Sequence, residues 1–357
     1  MSVTLGVEKA TKIAKCDGCG SNLAFSPEKQ CLCCPHCGST AQIQVKGKAI
    51  NLEIGKLKET SNWQNETQVY TCNNCGASSV LPKNEIATSC PFCGTPNVVK
   101  SKELSGLKPN AIVPFKIGLE ETSEIARKWL RKRFFAPRAF KKSATPEEIK
   151  GIYNPVFSFN ANTDSSYRGV LIKYHIETRI VDGQRRVTRR EERFEISGTL
   201  KKNFTDILIQ ASSKVNQNTI NKISPFGTES SLEYTNEYLY GFTASLHTKD
   251  GENCWGEAKS VIDRMIRSEI LSKYPGCTCQ TLNVKTSIDK PSFKYNLLPI
   301  YVGHSNWKEK LYNFYVNGIN GKMSGQTPIS GWKVFFTVIF PSILVVAGII
   351  AYYALSH

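Results

Sequence analysis

Histidine is scarce in this chain of 357 residues. There are five, and His175, His247 and His304 stand isolated in the sequence. No H-E-x-x-H, G-x-S-x-G or G-x4-G-K-[ST] motif occurs, and no carboxylate constellation stands out. Metalloprotease, α/β-hydrolase and P-loop NTPase chemistry therefore lack their usual carriers, and no catalytic residue is expected. Acidic side chains are in deficit, with 30 Asp+Glu against 46 Lys+Arg, so the formal net charge is +16. Uncharged runs of membrane-spanning length are absent before the last 25 residues, which excludes a multi-pass membrane protein. Met1 to Lys15 has no apolar core and no small-residue cleavage site. No secretory signal is expected there, and the chain is expected in a reducing compartment.

Cysteine, by contrast, is abundant. Ten of the thirteen cysteines precede residue 94, and eight of them form a repeat. Cys16-x2-Cys19 is followed by Cys34-Pro-His-Cys37-Gly38, and Cys72-x2-Cys75 by Cys90-Pro-Phe-Cys93-Gly94. A constant offset of 56 relates the two sets, as in a tandem duplication. Each C-x2-C places two thiolates at one tight turn, and two such turns complete a tetrahedral sulfur site suited to Zn2+. Two zinc ions per chain follow, held by Cys16, Cys19, Cys34, Cys37 and by Cys72, Cys75, Cys90, Cys93. Glycine after each second cysteine of a C-P-x-C-G turn supplies the positive φ that the knuckle needs. Cys31, Cys33 and His36 are also near the first site. Their counterparts in the repeat are Ala87, Ser89 and Phe92, so they read as non-ligands, with a redox role for Cys31 and Cys33 left open. With four protein ligands the metal has no free position, which favours a structural role. So small a ribbon has little core of its own, and metal binding supplies most of its folding energy.

Val334 to Ala354 carries no charged residue, with Thr337 and Ser342 as its polar side chains. As a helix it spans roughly 30 Å, the thickness of a bilayer's hydrocarbon core. Trp332 with Lys333, and Tyr352 with Tyr353, are placed as interfacial anchors. Lys308, Lys310, Lys322 and Lys333 precede the run, so a cytoplasmic N-terminal mass and a cell-membrane tail anchor are expected.

Between ribbons and tail, the pattern alternates helix and strand without a βαβ rhythm. A helix is expected over 122–135 with Thr122 as its cap, and a second over 258–271. Strands are expected over 156–159, 170–181, 186–196, 295–302 and 310–316. The second and third of these would be joined at Asp182-Gly183, and a turn is expected over 317–322. The fold class is multidomain. It comprises two small four-cysteine zinc ribbons, an α+β domain with a largely antiparallel sheet, and one C-terminal transmembrane helix. The expected boundaries are 1–50 for the first ribbon, 51–104 for a linker and the second ribbon, 105–330 for the α+β domain, and 331–357 for the tail.

Several segments recur in order: Ile112-Val-Pro-Phe115, Arg133-Phe-Phe-Ala-Pro137, Gly151-Ile-Tyr-Asn-Pro-Val-Phe157, Leu297-Leu-Pro-Ile-Tyr301 and Tyr312-Asn-Phe-Tyr-Val-Asn-Gly318. Together they resemble a bacterial family of tandem zinc-ribbon, tail-anchored membrane proteins. The chain is similar to the member encoded beside a phage-shock protein A homologue and an SPFH-type protein in bacilli. The resemblance covers nearly the whole chain and brings no catalytic residues. It implies an adaptor in envelope stress, recruiting protein partners to the cytoplasmic membrane face. The implied partners are a phage-shock protein A homologue, an SPFH protein or a membrane co-subunit.

The positive charge is uneven. Residues 1–104 hold 11 basic and 8 acidic side chains, and residues 105–200 hold 19 and 11. Each zinc–tetrathiolate site adds about −2, which leaves the ribbon region a poor phosphate binder. Arg127, Lys128, Arg131, Lys132, Arg133, Arg138, Lys141 and Lys142 occur with no acid among them, interleaved with Trp129, Phe134, Phe135 and Phe140. Three readings fit this strip: an anionic lipid headgroup surface, a nucleic-acid surface, or a solvated helix face whose aromatics lie in the core. A membrane tether favours lipid over specific nucleic acid. The alternative to the adaptor is thus a membrane-associated nucleic-acid-binding zinc-ribbon protein. A second cluster, Arg185, Arg186, Arg189, Arg190 and Arg193, is balanced by Glu191, Glu192 and Glu195.

Overall fold

A computed structural model of the chain describes residues 15–58, 67–82, 89–96, 98–101, 107–143, 149–181 and 184–355. Strands β1 (Ala24–Ser26), β2 (Cys31–Cys33) and β3 (Thr40–Ala41) form a small sheet of their own. Every later strand joins one large sheet: β4 (Leu52–Glu53), β5 (Thr67–Cys72), β6 (Ser78–Pro82), β7 (Val98–Ser101) and β8 (Ala111–Ile112). Helices α1 (Leu119–Lys132) and α2 (Arg138–Ser143) precede the long hairpin of β9 (Lys150–Val181) and β10 (Gln184–Gln210). Then come α3 (Gln217–Ile223), β11 (Leu232–Glu233), β12 (Thr243–Ser245) and α4 (Gly251–Ser272). The chain closes with β13 (Cys277–Trp307), β14 (Lys310–Asn317), β15 (Met323–Gly325), α5 (Gly331–Val334), a π turn over Phe335–Ile339 and α6 (Phe340–Leu355).

β9 and β13 pair antiparallel from Lys173↔Cys277 to Lys150↔Val302, and the other strands attach along their outer edges. β10 covers β9, with Val181↔Gln184 closing the hairpin; Asp182 and Gly183 lie outside the described residues. β14, β8 and β4 pair β13 in succession. Pairing is antiparallel except for β12 on β9 and β8 on β13.

The expected strands 156–159 and 170–181 are pieces of one strand. Residues 160–169 read as a break because they are small and polar. In the sheet, Ala161, Thr163, Ser165 and Tyr167 point inward, while Asn162, Asp164, Ser166 and Arg168 face water. α4 covers the inward face, burying Ala258, Ile262, Ile266 and Ile270. It starts at Asp250, whose side chain accepts the Asn253 N–H at 2.7 Å. α1 corrects another expectation, since it begins three residues earlier, with Gly118 as its cap. Thr122 is instead buried inside the helix, its hydroxyl donating to the Gly118 carbonyl at 2.7 Å. α1 also stops at Lys132, so Phe134 and Phe135 lie beyond it in a turn.

Four of the recurring segments, all but Arg133–Pro137, meet at the centre. Val113 N–H donates to Leu297 O at 3.0 Å, Lys116 N–H to Gly318 O at 2.8 Å, and Gly318 N–H to Pro299 O at 3.0 Å. Phe115 packs on Tyr153, Tyr301 and Phe242 with centroids 5.0, 4.7 and 4.3 Å apart. Several of their buried amides are satisfied internally. Asn154 and Gln210 exchange two amide hydrogen bonds, of 2.7 and 2.9 Å, and Asn317 donates to Ile223 O and Pro225 O. These four segments are framework, whereas Arg133–Pro137 lies at the surface.

Ile266, fully buried on the inward face of α4, should cost about 2–5 kcal/mol when changed to Ala. Ile176→Ala, on the exposed end of the hairpin at 73% exposure, should stay within about 0.5 kcal/mol. Thermal unfolding of the detergent-solubilised chain compares them.

Candidate metal centres

Four knuckles share one backbone design. The N–H of Gly20, Gly38, Gly76 and Gly94 donates to the carbonyl of Cys16, Cys34, Cys72 and Cys90, at 2.8, 3.0, 2.9 and 3.0 Å. Each of these glycines has a φ between 68° and 77°. Such a left-handed turn costs an ordinary side chain roughly 1–2 kcal/mol.

The knuckles bring the eight repeated cysteines into two groups, Cys16, Cys19, Cys34, Cys37 and Cys72, Cys75, Cys90, Cys93. The Sγ atoms of each lie within 4.8 Å of one another. Sγ separations are 3.4 Å for Cys16–Cys37 and 3.5 Å for Cys19–Cys34. They are 3.8 Å for Cys72–Cys93 and 3.6 Å for Cys75–Cys90. A tetrahedron with Zn–S bonds of about 2.3 Å requires S···S of about 3.8 Å, so the donor set and spacing fit a zinc ion in each group. Cys31 and Cys33 lie 3.7 Å apart on β2 but belong to neither group, and His36 is exposed. Cys254, Cys277 and Cys279 are free thiols, and burial pushes that of Cys254 up to about 12.

The two centres differ in their surroundings. In the first, Cys19 and Cys37 are exposed. The Ser39 hydroxyl, 3.1 Å from Cys37 Sγ, together with neighbouring hydrogen bonds holds that thiol down to about 6, favouring the ligating thiolate. In the second, burial raises the thiols of Cys75 and Cys90. Lys214 donates to the Cys75 carbonyl and sets a cation beside the dianionic centre.

Both ribbons are docked on the large sheet. β6 hydrogen-bonds to β12 at Val80↔Ala244, so the second ribbon's strands are part of that sheet. Cys72, Ala77, Cys90 and Phe92 share one apolar cluster with Ile152, Val156 and Ile300. The first ribbon keeps its own sheet but inserts Phe25 against Tyr238, 5.2 Å between centroids, and Gln30 Nε2 donates to Phe115 O at 2.6 Å. A ribbon with little core of its own therefore borrows one.

The basic strip lies by the C-terminal end of β13, where Phe140 packs on Trp307. Arg127, Lys128, Arg131, Lys132, Arg133, Arg138 and Lys142 are exposed or half-exposed, and Lys141 is half-buried. Phe140 is buried, with Trp129, Trp307 and Tyr312 packed around it, whereas Phe134 and Phe135 are exposed. Arg133 stacks on the Trp129 ring at 4.1 Å. The arginine cluster on β10 pairs in register with β9, and Arg189 lies 3.5 Å over the Tyr174 ring. The three isolated histidines occupy three separate places. His175 meets Glu192 at 2.7 Å, His247 meets the Tyr295 hydroxyl at 3.0 Å, and His304 is buried beside Gly94.

Among known proteins, the chain is similar to the uncharacterized protein YdjG of Bacillus subtilis (strain 168). The two are 29% identical over 323 residues, covering 90% of this chain and 91% of that protein. No protein-family model and no solved structure matches the chain.

Elemental analysis should give a zinc-to-chain ratio of about two, unchanged by Cys31→Ser and reduced to about one by Cys19→Ser or Cys75→Ser. Cys75→Ser should lower the unfolding temperature of the whole sheet more than Cys19→Ser does, because its ribbon is part of that sheet. A second contrast tests the knuckles. A Cβ at Gly20 meets open space, while one at Gly94 collides with the His304 ring. Gly20→Ala should cost about 1–2 kcal/mol from its backbone alone, and Gly94→Ala measurably more.

Proposed function

We propose that this chain is a membrane-anchored zinc-ribbon adaptor that recruits protein partners to the cytoplasmic face of the cell membrane. The observation that carries this reading is the helix over Gly331–Tyr353. Its 23 residues have a mean hydropathy of 2.6 in the most apolar window, and none of that window is buried. An apolar helix left uncovered by its own protein calls for another apolar medium, and a bilayer supplies one of the right thickness. Lys322 and Lys333 on its N-terminal side support a cytoplasmic N-terminal mass.

The two groups of four cysteines support a scaffolding role, because four protein ligands around a metal leave no position for substrate. Our reading of the role is non-enzymatic, with the metal sites structural. The two cysteine groups and the apolar C-terminal helix support reading the chain alongside the tandem zinc-ribbon family that its sequence resembles. That resemblance supplies envelope stress as the setting. It also supplies the partners: a phage-shock protein A homologue, an SPFH protein or a membrane co-subunit. The second reading, a membrane-associated nucleic-acid binder, draws on the eight-cation strip.

Deleting 331–357 should move the protein from sedimented membranes to the soluble fraction. Retention after a high-salt wash would overturn the helix as anchor. Affinity capture of the full chain from detergent-solubilised membranes should retain its protein partners after nuclease treatment. Loss of every partner on nuclease treatment would overturn the adaptor in favour of the nucleic-acid binder.

A further inference from the structure

Outside the C-terminal helix, Phe134 and Phe135 are the two exposed aromatic rings among the described residues, at 59% and 40% exposure. Their turn is held in place. Ala136 N–H donates to Arg133 O at 3.1 Å, and Ala136 itself is buried with Leu130 and Phe140. The same turn grips the root of the apolar helix. Ser330 N–H donates to Phe135 O at 2.8 Å, and Lys333 Nζ donates to Phe134 O and Ala136 O at 2.7 and 2.8 Å. Ile329 and Trp332, at 72% and 73% exposure, extend this apolar surface onto the helix.

Cations surround the rings. Arg131, Lys132, Arg133 and Lys142 are exposed, and among the described residues Lys128 is the one strip cation with an acidic partner, Glu124 at 3.5 Å. Partial burial, and then the nearby charge of Lys333, pull the Lys141 ammonium below its usual range. In water this arrangement is doubly unfavourable, since the phenyl rings stay hydrated and the like charges repel. Both costs fall at an anionic leaflet, where rings enter the interface and cations meet headgroups. Duplex nucleic acid would take the cations and leave the rings in water.

We propose that the turn 133–137 and its flanking cations form an anionic-phospholipid docking surface, a second membrane contact that beds the root of the C-terminal helix into the leaflet. The proposal rests on the membrane-span reading above and adds a lipid class to it. Two contacts fix the sheet domain's orientation to the bilayer, where a helix alone would leave it free to swing.

The test uses the full chain in nanodiscs of phosphatidylcholine alone or with about 30% phosphatidylglycerol. One readout is deuterium exchange over 131–142. The other is quenching of Trp332 by brominated lipids, isolated by difference against Trp332→Phe. Exchange over 131–142 should slow in the anionic discs and not in the neutral ones. Each near-surface cation is worth about a fivefold factor, so Arg131→Gln/Lys132→Gln/Arg133→Gln should weaken docking by roughly a hundredfold. Phe134→Ser/Phe135→Ser, at exposed positions, should weaken it too while zinc content and unfolding temperature hold. Trp332 quenching without lipid-dependent protection overturns the docking surface and leaves the span standing. Absence of both signals overturns both. Equal protection in the two discs, or protection conferred by duplex DNA in detergent in place of the discs, overturns the lipid assignment.

Discussion

The pairing of β9 with β13 is the constraint on which the rest of the structure depends. Each strand runs about thirty residues, roughly 100 Å of chain at about 3.3 Å per residue. Neither could stand alone, because its backbone polar groups need partners along the whole length. The elements around it are solutions to an edge or a face of that ladder. β10 closes one edge, β14, β8 and β4 tile the other, α4 covers one face, and β12 carries the second ribbon's strands into the sheet. At one end of β13, Trp307 and Tyr312 of the β13–β14 hairpin pack on Phe140 and so hold α2 and the basic turn. The far end is the β9–β10 hairpin beyond Lys173, where β13 has ended. The root of the apolar helix and the hairpin tip thus lie at opposite ends of one rigid pairing.

The eight repeated cysteines were legible because spacing alone constrains them. Two thiolates two residues apart, twice per unit and twice over, leave little else that the chain can do. The C-terminal helix was legible for a similar reason, since a run of about twenty uncharged residues is a compositional fact. The long strands were not. Their central inward positions are Thr163, Ser165 and Tyr167, which lack the apolar signal that marks a strand. Residues 277–294 of β13 likewise alternate Leu282, Val284, Thr286 and Ile288 with polar neighbours too weakly to stand out. What makes them strands is each other, across more than a hundred residues of sequence. The end of α1 was equally hidden. Arg133, Phe134 and Phe135 continue a helical pattern, and the turn that ejects the two rings depends on Ala136 being buried beside Leu130, a tertiary fact.

The duplication shows how one unit can take two physical roles. In the first copy, Pro35, His36 and Cys37 are exposed, and the three strands form a sheet of their own. In the second, Pro91 and Phe92 are buried and the strands belong to the large sheet. The exchange of His36 for Phe92 records the difference in one residue, since the apolar ring fills the cluster shared with Ile152 and Val156. Cysteines outside the ligand pattern, Cys31 and Cys33, occur only in the exposed copy. A metal lost from the second copy therefore takes strand pairing and core packing with it. A metal lost from the first leaves the large sheet's hydrogen bonds intact. The first ribbon is docked through Phe25 and Gln30 and turns Pro35, His36 and Cys37 outward. In a protein whose sheet domain is held between a helix root and a projecting hairpin, that exposed knuckle is the part of the metal architecture left open to solvent.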